Sequence, residues 1–220
     1  MTRFLLSFLI LAFSSTFAQA VRINEFLADN TSTSLEDEDG ETPDWIELYN
    51  PDPAPVSLDG WYLTDDAGDL SQWRFPAVTI PGSGFLVIFA SGKDRAPTNG
   101  DPLHTNFVLA QTGEYLALVG PDGSTVLSEF GAEGTNYPNQ RAGVSYGNFG
   151  SPPEPGFFFT PTPEAANDDS SAVLGFVADT EFDIDRHASS PEDLARNTAK
   201  MYFSERPAAE MSRANTQEAT

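Results

Sequence analysis

The chain has 220 residues, no cysteine and a formal net charge of −22. This length allows one main domain with appendages or two small domains, and the lack of thiols excludes disulfides and cysteine nucleophiles. The charge argues against nucleic acid as a partner, because neutralising phosphates needs clustered Lys and Arg. Residues 21–185 contain only five such side chains, Arg22, Arg74, Lys93, Arg95 and Arg141.

The first twenty residues have the pattern of a secretory signal peptide. Arg3 precedes an apolar stretch at 4–13, and Ala18-Gln19-Ala20 supplies the small residues of a cleavage site. The alternative is an uncleaved membrane anchor, but spanning a bilayer takes about 20 apolar residues. We therefore predict cleavage after Ala20 and a secreted protein, extracellular, at the cell surface or periplasmic, with no membrane span in the mature chain.

Residues 21–150 predict an all-β domain. Short runs rich in Val, Ile, Phe, Tyr and Trp alternate with Gly, Pro, Asn and Asp clusters, and no stretch keeps a helical period. The predicted strands are 21–28, 44–50, 61–64, 72–75, 84–90, 115–119, 125–130 and 141–146. Pro121-Asp122-Gly123 predicts a hairpin turn. Strands of this length and spacing favour an immunoglobulin-like two-sheet β-sandwich.

For two of these strands, the sequence also predicts which faces are buried. Strand 44–50 alternates core residues with Trp45, Glu47 and Tyr49, whose face is therefore expected to be wet or semi-wet. The run 85–89 is apolar on both faces. It is predicted to be a central strand covered on both sides.

Four motifs in this domain resemble the lamin-tail domain family in its secreted bacterial form. They are Ile23-Asn24-Glu25-Phe26, Asp44-Trp45-Ile46-Glu47-Leu48-Tyr49-Asn50, Leu58-Asp59-Gly60-Trp61-Tyr62-Leu63 and Ile80-Pro81-Gly82-Ser83-Gly84-Phe85. The resemblance covers residues 21–131. It implies an immunoglobulin-like sandwich that serves as an accessory module of exported proteins and has no agreed catalytic residues. The chromatin contacts of the nuclear members are not expected in an acidic, exported chain.

The C-terminal part divides into two predicted segments. Prolines concentrated at 152–163 favour an extended spacer, so residues 151–175 are predicted to be a Pro-rich linker, with the phenylalanines 157–159 folding back on the domain. Residues 175–186 alternate like the start of a second β module, but the pattern then stops. We predict that 176–220 is a truncated or disordered tail, and hypothesise a frameshifted or truncated gene model of a longer protein.

The acidic loop, residues 35–44, is the main candidate for a metal site. It holds six carboxylates, and calcium takes about six to eight oxygen ligands. It is not an EF-hand, because with Gly40 as the sixth position Leu35 and Ile46 stand where acidic ligands belong. The looser calcium site consists of Asp37, Asp39, Glu41 and Asp44, and the alternative is a solvated loop. A second acidic turn at 65–69 is a weaker candidate, because turns select Asp and Gly.

Catalytic arrangements are less specific. Paired carboxylates can hydrolyse glycosides, but so many acids make any one pair unspecific. A serine triad needs a histidine base, and both His104 and His187 are predicted to be surface residues. A sugar-stacking platform could be built from Trp45, Trp61 and Trp73 with Tyr49 and Tyr62, although large aromatics more often pack. We predict no catalytic residues and no enzyme.

The sequence thus predicts a secreted, monomeric, non-enzymatic β-sandwich module that binds or positions an extracellular protein or polysaccharide. Two alternatives stay open. One is a calcium-dependent module for glycans or surface polymers, which stabilisation by calcium would favour. The other is a hydrolase, which a carboxylate pair in an open cleft would favour.

Overall fold

The computed structural model describes residues 21–31 and 35–176, so the predicted signal peptide, His187 and the predicted tail beyond residue 176 lie outside the described residues. This part contains a 3₁₀ helix at Ala132–Gly134 and no helix long and apolar enough to cross a bilayer. Its strands are β1 (Arg22–Leu27), β2 (Asp44–Tyr49), β3 (Val56–Ser57), β4 (Tyr62–Thr64), β5 (Trp73–Arg74), β6 (Thr79–Ile80), β7 (Phe85–Ala90), β8 (Leu103–His104), β9 (Leu116–Val119), β10 (Val126–Phe130), β11 (Ser145–Phe149) and β12 (Glu154–Phe158).

The strands form an all-β, immunoglobulin-like sandwich, as predicted. The larger sheet has the order β12-β11-β1-β2-β7-β8, the smaller sheet has the order β10-β9-β4-β5, and β3 and β6 form a separate ribbon. The pairings within the sheets are antiparallel except for that of β7 with β8. The hairpin predicted at 121–123 is confirmed, because it joins β9 to β10.

The core lies between the two sheets and is rich in aromatic rings. Phe26 is fully buried, and its ring meets those of Phe130 and Tyr146 edge-on at centroid distances of 5.2 and 5.8 Å. Ile46 and Leu48 of β2 point into the same core, as the period of a strand requires. Burying each such side chain contributes roughly 1.5–3 kcal/mol.

The opposite face of the larger sheet is also covered, so the expectation of a wet face on β2 is wrong. Trp45 and Glu47 are fully buried and Tyr49 is half-buried. An apolar cluster at one end of this face contains Leu27, Trp45 and Phe89 beneath Leu35. Strand periodicity separates the two faces, but it does not reveal which later segment returns to cover one of them.

The predicted Pro-rich linker contributes to the sandwich. Its strand β12 pairs antiparallel with β11, and Phe157 and Phe158 are buried whereas Phe159 is 60% exposed. Strand β12 lies at the edge of the larger sheet, where Pro155 is tolerated because its missing N–H removes no hydrogen bond between central strands. The packed region therefore continues past the predicted boundary at residue 150.

Strand β7 lies between two other strands of the larger sheet, as the sequence predicts for a central strand, but one of its neighbours covers only part of it. It pairs with β2 along its whole length, but on its other side the short β8 pairs only with Ile88 and Phe89. Phe85, Leu86 and Val87 are half-buried beside this open edge. The two-residue strands β3, β6 and β8 are not predicted, because two residues carry no periodic pattern of their own. The equally short β5 lies within the predicted strand 72–75.

Candidate functional site

The acidic loop folds around the side chain of Asp37. Its Oδ1 accepts the N–H groups of Asp39 and Glu41 at 3.0 and 2.9 Å, and its own N–H donates to the Glu41 carbonyl at 2.8 Å. Gly40 has φ of 76°, a left-handed conformation that glycine adopts without strain. This turn brings the carboxylates of Asp37, Asp39 and Glu41 together.

A lysine from the connection between β7 and β8 lies among these three carboxylates. Lys93 Nζ is 2.5 Å from Asp37 Oδ2, 2.8 Å from Asp39 Oδ2 and 2.8 Å from Glu41 Oε2. Burial alone would raise the pKa of Asp37, but the hydrogen bonds from Lys93 and from the turn outweigh it, so this pKa is lowered. The three carboxylates in turn raise the pKa of Lys93. The ammonium thus cancels part of the repulsion within the loop.

The backbone of the 91–95 connection places a second cation beside Lys93. Arg95 and His104 exchange backbone hydrogen bonds at 3.0 and 2.8 Å, which lays the connection along β8. Arg95 Nη1 then donates to Glu38 Oε1 at 2.6 Å and to Asp39 Oδ2 at 2.8 Å. Two carboxylates therefore share Arg95, and Asp39 links it to Lys93.

His104 is fully buried, which corrects its prediction as a surface residue. Its ring stacks on Phe89 at a centroid distance of 5.2 Å, Nδ1 lies 2.8 Å from Ser91 Oγ, and Nε2 lies 3.0 Å from Glu38 Oε2. A carboxylate can only accept, so Nε2 carries a proton, and in the neutral ring Nδ1 then accepts from the Ser91 hydroxyl. The hydrogen bond from His104 is the main reason why the pKa of Glu38 is lowered.

We call this group of seven side chains the ion cluster. Its members are Asp37, Glu38, Asp39, Glu41, Lys93, Arg95 and His104. Sequence reasoning missed the last three, because they lie more than 50 residues further along the chain than the loop. A usable signal was nonetheless present: two of the five basic residues in 21–185 stand two positions apart, at 93 and 95.

Three of the four predicted metal ligands come together and the fourth does not. Ligand atoms of Asp37, Asp39 and Glu41 all lie within 4.8 Å of one another. Asp44 instead closes the base of the loop, where its Oδ1 accepts the N–H groups of Asp29 at 2.8 Å and Asn30 at 3.3 Å. Burial raises the pKa of Asp44 despite those hydrogen bonds. Its role in the structure is to tie the two ends of the loop together.

The converging oxygens are of the type that calcium selects, and the Lys93 ammonium contacts all three of them. A divalent ion at this point would have to displace that ammonium. The second acidic turn folds on itself, with Asp66 Oδ1 accepting the Gly68 N–H at 2.7 Å. Within the described ranges, none of the possible metal-ligand groups includes this turn.

A separate pair of carboxyl groups lies on the outer face of the larger sheet. Glu25 of β1 and Glu47 of β2 are register partners, and both are fully buried. Glu25 accepts the Ser145 hydroxyl, and Thr162 donates to it through its N–H at 3.1 Å and its hydroxyl at 2.8 Å. Burial is the main cause that raises the pKa of Glu25.

Glu47 makes the matching contacts further along the same segment. It accepts Asn24 Nδ2 at 2.8 Å and the backbone N–H of Glu164. Burial raises the pKa of Glu47 to about 8. Asn167 closes the network by donating to the carbonyls of Asn24 at 3.1 Å and Asn148 at 2.7 Å. We call residues 162–167 the latch segment, because these bonds hold it on the sheet.

The tryptophans do not form a joint platform for sugar stacking. Trp45 is 0% exposed on the outer face of the larger sheet, and Trp73 is 2% exposed in the core. Trp61 is partly buried and packs against that core. These rings serve packing, as large aromatics in a small sandwich usually do.

These features define an immunoglobulin-like β-sandwich module. The ion cluster and the hydrogen bonds of Glu25 and Glu47 hold loops of the same chain against the larger sheet. The family model described as Lamin Tail Domain matches residues 14–132, more than half of the chain. The chain therefore belongs to the lamin tail domain family, as the four motifs predict, and this family is an immunoglobulin-like, non-catalytic one. A search of curated proteins found no match. Strands β11 and β12 and the latch segment lie beyond the matched residues.

Proposed function

We propose that this protein is an exported, non-enzymatic module that binds or positions a partner outside the cell. The signal-peptide pattern of residues 1–20 supports export. Membership of a non-catalytic family supports a role without turnover. The partner is a protein or a polysaccharide rather than nucleic acid, because only five Lys and Arg side chains occur in residues 21–185.

One observation carries the non-enzymatic part of the proposal. The buried carboxyl pair that best fits a hydrolase, Glu25 and Glu47, is engaged with the latch segment. Glycosidase carboxyl groups must flank a sugar bond with room for substrate and water. Here the backbone N–H groups of Thr162 and Glu164 donate to the two carboxyl groups, and both glutamates are fully buried. The pair is therefore suited to holding the chain rather than to hydrolysis.

Incubation of the full-length protein with polysaccharides, peptides and phosphoesters tests this role. We expect retention of a ligand at most, and no product. Glu25→Gln and Glu47→Gln should lower the melting temperature, because each replaces an oxygen that accepts a hydrogen bond with an amide nitrogen that cannot accept one. The proposal would be overturned by reproducible hydrolysis that either substitution abolishes while the melting temperature stays unchanged.

Calcium dependence is a second candidate, favoured by the convergence of three carboxylate oxygens from Asp37, Asp39 and Glu41. A bound ion stabilises the folded state in proportion to the logarithm of its concentration over its dissociation constant. Millimolar calcium should then raise the melting temperature, and Lys93→Met should enlarge the rise by removing the competing ammonium. Asp37→Ala with Asp39→Ala should abolish it. No response to calcium or chelator in either wild type or Lys93→Met would reduce the cluster to internal ion pairs.

A further inference from the structure

A groove with an apolar floor lies along the open edge of β7. Its volume is about 590 Å³. Phe85, Val87 and Phe89 line it on the side of the larger sheet, residues 77–79 line it up to the first residue of β6, and residues 97–98 and 100–103 line it up to the first residue of β8. The groove thus extends along the part of β7 that β8 leaves without a neighbour, since β8 pairs only with Ile88 and Phe89.

Backbone groups of Phe85 and Val87 face this groove. In the ladder between β7 and β2, Asn50 N donates to Gly84 O at 2.9 Å. In an antiparallel ladder, residue pairs that exchange backbone hydrogen bonds alternate with pairs that do not. The backbone groups of Gly84 and Leu86 therefore bond to β2, whereas those of Phe85 and Val87 point away from it. Among the described residues, no strand pairs with these two on the groove side. They form an unpaired sheet edge of the kind that accepts another strand.

The rim of the groove is acidic. Glu36, Asp101 and Glu164 line it, and no described Lys or Arg does. None of these three carboxylates forms an ion pair within residues 21–31 and 35–176. Asp101 accepts the Asn99 amide at 2.8 Å. The rim differs in this respect from the ion cluster, where Lys93 and Arg95 already neutralise the acids.

We propose that this groove binds an extended peptide as an added strand beside β7, and that the peptide alternates apolar residues with Lys or Arg. The backbone groups of Phe85 and Val87 supply hydrogen bonds that any sequence can satisfy, and pockets for alternate side chains supply selectivity. Apolar side chains of the peptide meet the floor, and its cations reach the rim. A second copy of this chain is a poorer occupant, because it brings a net charge of −22 to an acidic rim.

The inference rests on the proposed binding role and is tested with the full-length protein and fluorescent synthetic peptides. An alternating Lys-Val peptide should bind at least about tenfold more tightly than its Glu-Val counterpart in fluorescence anisotropy. Two further Lys-Val peptides carry backbone N-methyl groups on odd or on even residues. Successive N–H groups of a strand point to opposite sides, so one pattern should abolish binding and the other should preserve it. Binding should also protect the Phe85 and Val87 amides from hydrogen exchange.

Matched variants separate the rim from overall charge. The rim variant is Glu36→Gln, Asp101→Asn and Glu164→Gln, and the control removes three exposed acids elsewhere, Asp59→Asn, Asp94→Asn and Glu154→Gln. The rim variant should weaken binding at least about tenfold, and the control by less than about twofold. Equal weakening in both variants, equal binding of both N-methylated peptides, or self-association through β7 would overturn the proposal. If the peptides fail while a polysaccharide is still retained, the binding role survives and the peptide groove does not.

Discussion

The buried carboxyl of Glu47 predicts that stability falls as the pH rises from mildly acidic to mildly alkaline. Its pKa is raised from 4.5 to about 8 by burial. Between these values the folded protein holds a proton that the unfolded chain has released, so raising the pH favours unfolding. At about 1.4 kcal/mol per pH unit, this interval corresponds to roughly 4–5 kcal/mol of unfolding free energy.

Urea denaturation followed by tryptophan fluorescence, at several values between about pH 5 and pH 9, measures this dependence. Glu47→Gln removes the titrating group, so its unfolding free energy should depend much less on pH. At pH 5 the variant should be less stable by about 1–3 kcal/mol, because one donor, Asn24 Nδ2 or the Glu164 N–H, then faces the new amide nitrogen. Glu154→Gln, at an exposed position of β12, serves as the control.

Local exchange distinguishes this mechanism from general charge repulsion. When Glu47 ionises in its buried site, the latch segment should loosen before the sandwich unfolds. The protection factors of the Thr162 and Glu164 amides, which correct for the faster intrinsic exchange at high pH, should therefore fall above about pH 8. A Glu47→Gln variant that keeps the full wild-type slope would refute the reasoning, because the slope would then arise elsewhere. Glu25 and Glu114, whose pKa values burial also raises, would be the next groups to replace.

Four further substitutions have expected outcomes in thermal or urea unfolding. Lys93→Met should lower the free energy of unfolding by about 1–3 kcal/mol, because it leaves the buried Asp37 carboxylate without its cation; no loss would show that the three ion pairs add nothing. His104→Ala should cost about 2–4 kcal/mol, because it opens a cavity beside Phe89 and removes the hydrogen bonds of the ring to Ser91 and Glu38; a cost below about 0.5 kcal/mol would be the effect expected of a surface residue and would contradict the burial of His104. Trp61→Ala should cost less than Trp73→Ala, about 1–2 against 3–5 kcal/mol, because only Trp73 is almost fully buried; the reverse order would contradict the burial argument.

Much of the fold could be predicted because its evidence is local. The alternation in 44–50 identifies Ile46 and Leu48 as core residues, and Pro121-Asp122-Gly123 marks the hairpin between β9 and β10. The two-residue strands β3, β6 and β8, and the longer β12, could not be predicted in this way. The former are too short for a period, and the latter contains Pro155, which argues against a strand unless it lies at an edge.

Of the candidate site, only the part within the acidic loop could be predicted from the sequence. Asp37, Asp39 and Gly40 form a turn whose hydrogen bonds span at most four residues, so composition and spacing reveal it. Lys93 and His104 reach the same place through the path of the chain after β7, which depends on the tertiary fold. The same limit applies to Glu47, which alternation places on an outer face but which the latch segment buries.

The contacts of the five described Lys and Arg side chains explain why some carboxylates of the domain have a cation beside them and others do not. Each of the five makes a contact within the domain, with Arg22 over the Tyr49 ring, Arg74 near Asp59, Arg141 over the Phe176 ring, and Lys93 and Arg95 in the ion cluster. No described Lys or Arg is therefore left to neutralise the groove rim. Because unpaired carboxylates beside an apolar floor gain most from a partner that brings both cations and apolar groups, the charge distribution favours a basic, amphipathic peptide over an acidic or neutral one.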